Sequence, residues 1–204
     1  MRSLVKVVSH FTNICSKIDY SVAFALNLIK DNPVEANWLI SYSVIKLHDQ
    51  WNARCREIVI KSCQGGYRTK RGTLLSRSVK ENPLDYLRNN WARTTVMGSN
   101  WEPDWHIPSN TIRAASLLNV QNLAEIQNAL GAITVIDELR WTRNAMVHQL
   151  PHTFGQYRLI SNNRSLSHIT EPANLAIHRD VTSQKLIIDI WEEELTIALN
   201  AAIA

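Results

Sequence analysis

The sequence predicts an all-α protein, an up-and-down bundle of four to five helices with a loop-rich insertion. Apolar residues recur at steps of three and four along several long stretches, as on the buried side of an amphipathic helix. Hydrophobic residues make up 45% of the 204 residues and charged residues 20%, which excludes a disordered chain and provides a sizeable core. With no internal repeat and no linker, we expect one domain over 1–204, with the N-terminal helix (1–32) a candidate appended arm.

The first two helices have the clearest sequence signals. Apolar residues from Leu4 to Ile29 form one stripe, which Asp31-Asn32-Pro33 ends because the residue before proline avoids the α region. A second helix is predicted from about Pro33, a favoured first-turn residue, to Cys63, before Gly65-Gly66. Its apolar stripe is expected to include Trp38, Tyr42, Ile45, Trp51, Cys55, Ile58 and Val59, and most of the seven Trp should lie in the core.

The remaining elements follow from turn and cap residues. Ser78 is a candidate cap for a short helix over 79–91, and the Gly, Pro, Trp and Asp content of 95–110 argues against regular structure. A short helix near 111–118 precedes a long one over 122–149, which Pro151 ends. We expect a long loop over 152–182, with a strand pair possible around Tyr157–Ile160, and a last helix over 183–201.

Positive charge is concentrated in one strip. The net charge is +4, yet Arg68–Arg93 alone holds seven basic residues against two acidic ones: Arg68, Lys70, Arg71, Arg77, Lys80, Arg88 and Arg93 against Glu81 and Asp85. A localised cationic strip suits an anionic polymer backbone, although a solvated loop and helix face fits the charge equally well.

The three cysteines show no paired spacing, so reduced, buried thiols are expected rather than a disulfide framework or a zinc ribbon. The N-terminus lacks the apolar run of a signal peptide, and no stretch approaches ~18 uninterrupted apolar residues. These features predict a soluble, cytoplasmic protein with no membrane association and no cofactor.

The strongest local signal lies near the end of the predicted long helix, in the segment RWTRNAMVH. Asn144 and His148 are four residues apart and share one helix face, and the long stem of Arg143 can bring its guanidinium to that face. A planar cation, an amide and an imidazole thus gather in one patch.

This set of groups suits phosphodiester chemistry. An arginine can hold a phosphate and stabilise the extra charge of its transition state, and a histidine can move protons to and from the ribose 2′-hydroxyl or the leaving oxygen. When the 2′-hydroxyl is the nucleophile, no metal is required and DNA is resistant. The alternative is an exposed arginine and a histidine that simply favours the negative end of the helix dipole.

Arg143-Asn144-Ala145-Met146-Val147-His148 resembles the R-x4–6-H motif of HEPN domains, a superfamily of small α-helical proteins that includes many metal-independent endoribonucleases. Those families favour a polar residue, often Asn, after the Arg, and place the motif near the end of a long helix. The segment from His48 to Glu57, with Gly65-Gly66 and the basic loop after it, resembles a subgroup of bacterial HEPN-like proteins suspected of defence or toxin roles.

The resemblance implies roles for single residues. Arg143 would bind phosphate and stabilise the transition state, His148 would transfer protons, and Asn144 would orient the substrate or the motif. It also implies a homodimer in which two motifs form one cleft, RNA as substrate, and a 2′,3′-cyclic phosphate product. The basic residues Arg68, Lys70, Arg71, Arg77 and Lys80 would then guide RNA.

Several neighbours have competing interpretations. His148 and His152 have the spacing of two zinc ligands, but Pro151 interrupts the turn and no further ligand is near, so no metal site is predicted. His48, Glu138 and Arg140 are candidate auxiliary residues. His48 is also explained as a structural histidine beside Trp51, and Asp137 and Glu138 as helix-face ion-pair partners of Arg140.

Two functions follow from these observations. The first is a homodimeric, metal-independent endoribonuclease in bacterial phage defence or as a toxin. The second is a catalytically silent HEPN-like module that binds RNA or a protein partner, such as a nucleotidyltransferase antitoxin or another defence component. The Arg143–His148 pair favours the first, because a docking surface has no need of a group that titrates near neutrality.

Overall fold

The computed structural model describes residues 2–91 and 102–204, and helices dominate both ranges. Arg93, Trp101 and the first part of the predicted irregular stretch 95–110 lie outside them. The helices are α1 (Val5–Leu28), α2 (Pro33–Gln64), α3 (Pro83–Trp91), α4 (Pro108–Leu117), α5 (Leu123–Gly131), α6 (Val135–His148), α7 (Pro151–Asn163), α8 (Pro172–Ala176) and α9 (Ile187–Ala202). The all-α class is confirmed, and the described ranges contain nine helices, compared with a predicted bundle of four to five helices and six predicted helical segments in all.

The chain divides into two compact units. The first comprises Met1–Phe11, Trp51–Ile133 and Thr196–Ala204, and the second Thr12–Gln50 and Thr134–Leu195. The division falls within α1, α2 and α9, so each unit contains part of these three helices.

In the first unit, α3 packs on α4 and α4 on α5 around a buried core. A short parallel pair, β1 (Arg2–Ser3) with β2 (Tyr67–Arg68), joins the start of the chain to the loop after α2. The Lys70 N–H donates to the Ile203 carbonyl at 2.7 Å, so the same loop is also bound to the end of the chain. The core of this unit includes Leu4, Phe11, Trp51, Val59, Leu87, Leu118 and Ile126.

Gly65 is the residue that allows this loop to fold back against itself. Its φ is +70°, and a Cβ there would lie 2.4 Å from the backbone nitrogen of Arg77. Only glycine avoids both the left-handed strain and this clash. Gly66, with φ +73°, has open space where a Cβ would lie.

In the second unit, α6 packs against α7 and α8. The buried residues of α6 step by three along one face, from Ile136 through Leu139 and Thr142 to Ala145. Ala36, Ile40, Val44, Leu47, Tyr157, Leu175, Ile187, Trp191 and Leu195 complete the core of this unit.

The predicted long helix over 122–149 is wrong, because two helices, α5 and α6, occupy it. The buried positions Leu130 and Val135 are five residues apart, a step that one helical stripe does not make. Gly131 is a poor helix former and two β-branched residues, Ile133 and Thr134, follow it closely, so α5 ends there.

The predicted long loop over 152–182, with its strand pair near Tyr157–Ile160, is also wrong. Residues 151–163 form α7 and residues 172–176 form α8. Pro151 ends the preceding helix and also begins the next one, as proline at a first helical position does. Tyr157 is fully buried in α7, and its hydroxyl donates to the carbonyls of Ile169 (3.0 Å) and Glu171 (3.2 Å).

Three other helix boundaries differ from the predictions. The helix predicted from residue 79 begins at Pro83, where Asn82 Oδ1 accepts the Leu84 N–H at 2.9 Å, and Ser78 instead donates to the Leu118 carbonyl at 2.6 Å. The helix predicted near 111–118 begins at Pro108, and the last helix begins at Ile187.

The first two helices agree with prediction in extent, but α2 presents a different face to the core. Trp38 and Tyr42, predicted in its apolar stripe, are 75% and 58% exposed. The buried stripe begins at Ala36 and Ile40 instead, and only Trp51 and the residues beyond it match the predicted one.

Candidate functional site

The Arg143–His148 segment forms the last turns of α6 in the second unit. The helix ends at His148 because Gln149 adopts a left-handed conformation (φ 47°) and Leu150 an extended one before Pro151 begins α7. His148 therefore lies at the C-terminal end of the helix dipole with its side chain exposed, whereas Arg143 and Asn144 are half-buried.

The structure brings the three predicted catalytic residues together. Arg143 Nη1 donates to Asn144 Oδ1 at 3.1 Å and lies 3.5 Å from His148 Nε2. In these three residues, hereafter the α6 cluster, the guanidinium of Arg143 lies between the amide of Asn144 and the imidazole of His148.

The Arg143–His148 contact constrains the imidazole. A guanidinium has donors only, so this contact is a hydrogen bond only when Nε2 carries a lone pair and the ring is neutral. At 3.5 Å it is longer than the usual 2.7–3.2 Å. A phosphate oxygen, which accepts charge-assisted hydrogen bonds, would compete effectively for this Nη1 donor.

Arg143 also has an unsatisfied hydrogen-bond donor. Its Nε is buried and has no hydrogen-bond acceptor within residues 2–91 and 102–204. An unsatisfied buried N–H costs about 1–3 kcal/mol, so an acceptor supplied by a ligand would stabilise it.

The carboxylate of Glu138, one of the auxiliary candidates, binds Arg164 and Trp191. Both of its oxygens lie 3.0 Å from Arg164 Nε, and Oε2 also lies 2.6 Å from Arg164 Nη2 and 3.0 Å from Trp191 Nε1. These contacts join α6 to the end of α7 and to α9, so the observed partners of Glu138 give it a positioning role for the helix.

Arg140, another auxiliary candidate, is half-buried on α6. Its Nη2 forms an ion pair with Asp137 at 2.8 Å, one of the pairs that the sequence allows, and its guanidinium lies 4.7 Å from the Trp141 ring centroid. The His152 ring meets the same Trp141 ring edge-on at 5.5 Å. Among the described residues, no group of three or more His, Cys, Asp and Glu converges as metal ligands would.

His48, the third auxiliary candidate, is buried in α2. Its Nδ1 lies 3.6 Å from the carboxylate of its neighbour Asp49. This position fits a structural histidine, and a role for His48 in the α6 cluster stays a prediction.

The five predicted RNA-binding residues lie in the first unit, and two of them hold their own loop together. Arg68 Nη1 donates to the Gly72 carbonyl at 2.6 Å, and Arg77 Nε donates to the Val79 carbonyl at 2.8 Å. Lys70 Nζ lies 3.3 Å from Asn200 Oδ1. Arg71 and Lys80 have exposed side chains.

Sequence reasoning missed a buried glutamate of the second unit, Glu192, which lies near two other carboxylates. Burial and the neighbouring carboxylate of Asp19 raise the pKa of Glu192 to about 9. Burial, with Glu192 close by, also raises the pKa of the Cys15 thiol, and burial raises the pKa of Asp189. The available signal was a glutamate directly after Trp191, inside the apolar stripe of the last helix. All three cysteines are free and buried, as predicted.

Comparisons with known proteins return no match: no family model, no curated protein and no solved structure aligns with this chain. Function must therefore be argued from the residues of the chain itself. Within the two described ranges, no helix has the length and apolar character needed to cross a bilayer.

Proposed function

We propose that this chain is a metal-independent endoribonuclease that cleaves RNA by attack of a ribose 2′-hydroxyl on the adjacent phosphate. The observation that carries the proposal is the α6 cluster, with Arg143 Nη1 3.5 Å from His148 Nε2 at an accessible helix end. The resemblance of this segment to the HEPN motif supports the same function, and with it a role in bacterial phage defence or as a toxin.

In the proposed reaction, the 2′-oxygen forms a bond to phosphorus and the bond from phosphorus to the 5′-oxygen breaks. A neutral His148 takes the 2′-hydroxyl proton, and the leaving 5′-oxygen needs a proton from an acid. A homodimer supplies both the base and the acid when two α6 clusters share one cleft. One His148 then acts as the base, and the protonated His148 of the other copy acts as the acid. The products are a 2′,3′-cyclic phosphate and a 5′-hydroxyl end.

Arg143 supplies the electrostatic part of catalysis. Its guanidinium leaves the loose contact with His148 and donates to a non-bridging phosphate oxygen, where negative charge increases in the transition state. This exchange frees the Nε2 lone pair of His148 for the 2′-hydroxyl proton. Asn144, which accepts from Arg143 at 3.1 Å, keeps the guanidinium at the cluster.

The test is RNA cleavage in excess chelator, with the ends of the products identified. Arg143→Ala and His148→Ala should each lower the cleavage rate by about 10²-fold or more. Arg158→Ala and His168→Ala, which change exposed residues outside the cluster, are the matched controls and should cleave like the unaltered protein.

Two results would reject the nuclease. The first is intact RNA under all conditions, which with retained RNA binding would leave the silent binding module. The second is cleavage that persists in both cluster variants, which would place the activity elsewhere or in a contaminant. An RNA with a 2′-deoxy substitution at the cleavage site should bind and remain uncut, which separates recognition from chemistry.

A further inference from the structure

An exposed aromatic surface of the second unit lies on α2. Val34, Trp38 and Tyr42 follow one another at steps of four, and their side chains are 68%, 75% and 58% exposed. Residues four apart lie on one side of a helix, so the three form a continuous apolar strip, hereafter the α2 face. Isolated exposed apolar residues are common, but an aromatic strip of this kind marks an interaction surface.

A groove adjoins this face. Its lining includes Ile29, Val34, Trp38, Ile40 and Asn174, and it encloses about 330 Å³. A cavity of roughly 150 Å³ is enough for a benzene ring, so the groove has room for a large aromatic side chain. The surface therefore offers both a protruding aromatic strip and a place to receive one.

Two opposite charges flank the α2 face along the same edge. Glu35 lies near the start of the strip and Lys46 lies beyond its end, eleven residues or about three turns later. Both side chains reach solvent. The midpoint between these charges falls between Trp38 and Tyr42, so this pair of charges is self-complementary when the helix direction is reversed.

We propose that the α2 face binds a second copy of this chain, with the two α2 helices antiparallel around a twofold axis near residue 40. Trp38 of each copy then packs against Tyr42 of the other, and Glu35 of each meets Lys46 of the other. The lysine stem covers the partner's Val34. A parallel pairing is disfavoured because it brings neither charge to the level of its opposite.

The α2 face also lies beside the end of α6. A cleft in the second unit is lined by Asn37 and Ser41 of α2 together with Met146 and Gln149 around the end of α6. A second copy on the α2 face would therefore lie close to the C-terminal end of α6, on the side of Met146 and Gln149. The inference is argued from exposure, groove and charge. A dimer that Trp38→Ala dissociates but that leaves RNA intact would support it and reject the nuclease alone, whereas a strictly monomeric chain would count against both, because the proposed cleavage also needs a homodimer.

The expected dimer is weak. A fully buried aromatic side chain covers about 150–250 Å², so four partly exposed aromatics contribute roughly 600 Å². Stable interfaces bury about 1,200–2,000 Å², and the remainder has to come from Val34, Lys46 and the groove. We therefore expect a dissociation constant in the micromolar range and a monomer–dimer equilibrium that depends on concentration.

The first test is sedimentation equilibrium of the whole chain between about 1 and 300 µM. Trp38→Ala should weaken dimerisation roughly 100-fold, as removal of a central aromatic anchor does. Ile197→Ala, which removes an exposed apolar side chain from α9, should leave the equilibrium unchanged. A chain that stays monomeric throughout, or a dimer that Trp38→Ala does not weaken, overturns the proposal.

The second test uses charge reversal. Glu35→Lys and Lys46→Glu should each lose dimerisation, because like charges then meet twice across the axis. An equimolar mixture of the two variants should dimerise again, since both contacts of the heterodimer pair opposite charges. Glu35 also accepts from the Asn32 side chain at 2.8 Å within its own chain, and mixing cannot restore that bond. Rescue on mixing therefore reports the contact between copies, and a mixture that stays monomeric overturns the antiparallel register.

Discussion

Glu192→Gln is expected to stabilise the protein at neutral pH and to remove a pH-dependent loss of stability. Glu192 is only 7% exposed and lies near Asp19, Asp189 and the Cys15 thiol. Burial first, and then the carboxylate of Asp19, raises its pKa from an ordinary 4.5 to about 9. The folded protein therefore holds Glu192 protonated at neutral pH, whereas the unfolded chain releases that proton.

The sign and size of the effect follow from this difference. Stability is greatest below the unfolded pKa near 4.5 and falls as pH rises toward the folded pKa near 9, because the folded state binds one more proton in that interval. The slope approaches about 1.4 kcal/mol per pH unit, or about 3 kcal/mol between pH 5.5 and 7.5. Glutamine keeps the shape and a hydrogen-bond donor for Asp19, but it does not titrate.

Urea unfolding at a series of pH values from 5 to 8 measures this directly, provided that the denaturant slope stays constant. The unfolding free energy of Glu192→Gln relative to the unaltered protein should increase by about 3 kcal/mol between pH 5.5 and 7.5. Burial also raises the pKa of Asp189. Because Asp189 is present in both proteins, its contribution to the pH dependence cancels in this difference.

Glu193→Gln provides the matched control, since the adjacent Glu193 is exposed and pairs with exposed Lys185. Its pH profile should run parallel to that of the unaltered protein. If the profile of Glu192→Gln also runs parallel from pH 5 to 8, Glu192 is ionised in the folded state and the reasoning fails.

Two further pairs of substitutions test contacts within single units. Gly65→Ala should lower the free energy of unfolding by about 2 kcal/mol or more, because its new methyl group would lie 2.4 Å from the backbone. Gly66→Ala introduces only the strain of positive φ and should lower it by about 1 kcal/mol. Equal losses of stability in thermal unfolding would contradict the clash at Gly65. Glu138→Ala should cost about 2–3 kcal/mol, because Arg164 then keeps only the more distant carboxylate of Asp180 and buried Trp191 loses its acceptor. Asp137→Ala removes an exposed carboxylate and should cost less than about 1 kcal/mol, and similar losses in the two variants would show that the Glu138 contacts add nothing.

The sequence was most informative where structure depends on neighbours in the chain. Residues 143, 144 and 148 come together because they lie within two turns of one helix, and that geometry needs only a helix at this place. The boundaries of α1 and α2 could be predicted for the same reason, from proline and glycine at their ends. The helix over 151–163 could not, because Gly155 and several polar residues obscure its pattern while burial of Tyr157 stabilises it.

The face that a helix turns to the core was harder to predict. Trp38 and Tyr42 are large and apolar, so periodicity alone placed them inside. In the structure the small residue Ala36 and the branched Ile40 are buried instead. The spacing of hydrophobic residues predicts a helix, but steric fit to neighbouring helices decides which of two overlapping apolar stripes is buried. The stripe that stays exposed, here with Trp38 and Tyr42, is then a candidate interaction surface.

The same distinction between local and distant contacts governs the α6 cluster. Its residues were found from the sequence, but the helix that presents them is held by Glu138, whose partners Arg164 and Trp191 lie 26 and 53 residues away. No residue spacing in the sequence predicts that Glu138 pairs with Arg164 and Trp191. These contacts hold the helix that carries Arg143 and His148, since Glu138 lies less than two turns before Arg143 on α6. A substitution at Glu138 should therefore disturb the α6 cluster although Glu138 takes no part in its hydrogen bonds, and the motif alone is an incomplete description of the site.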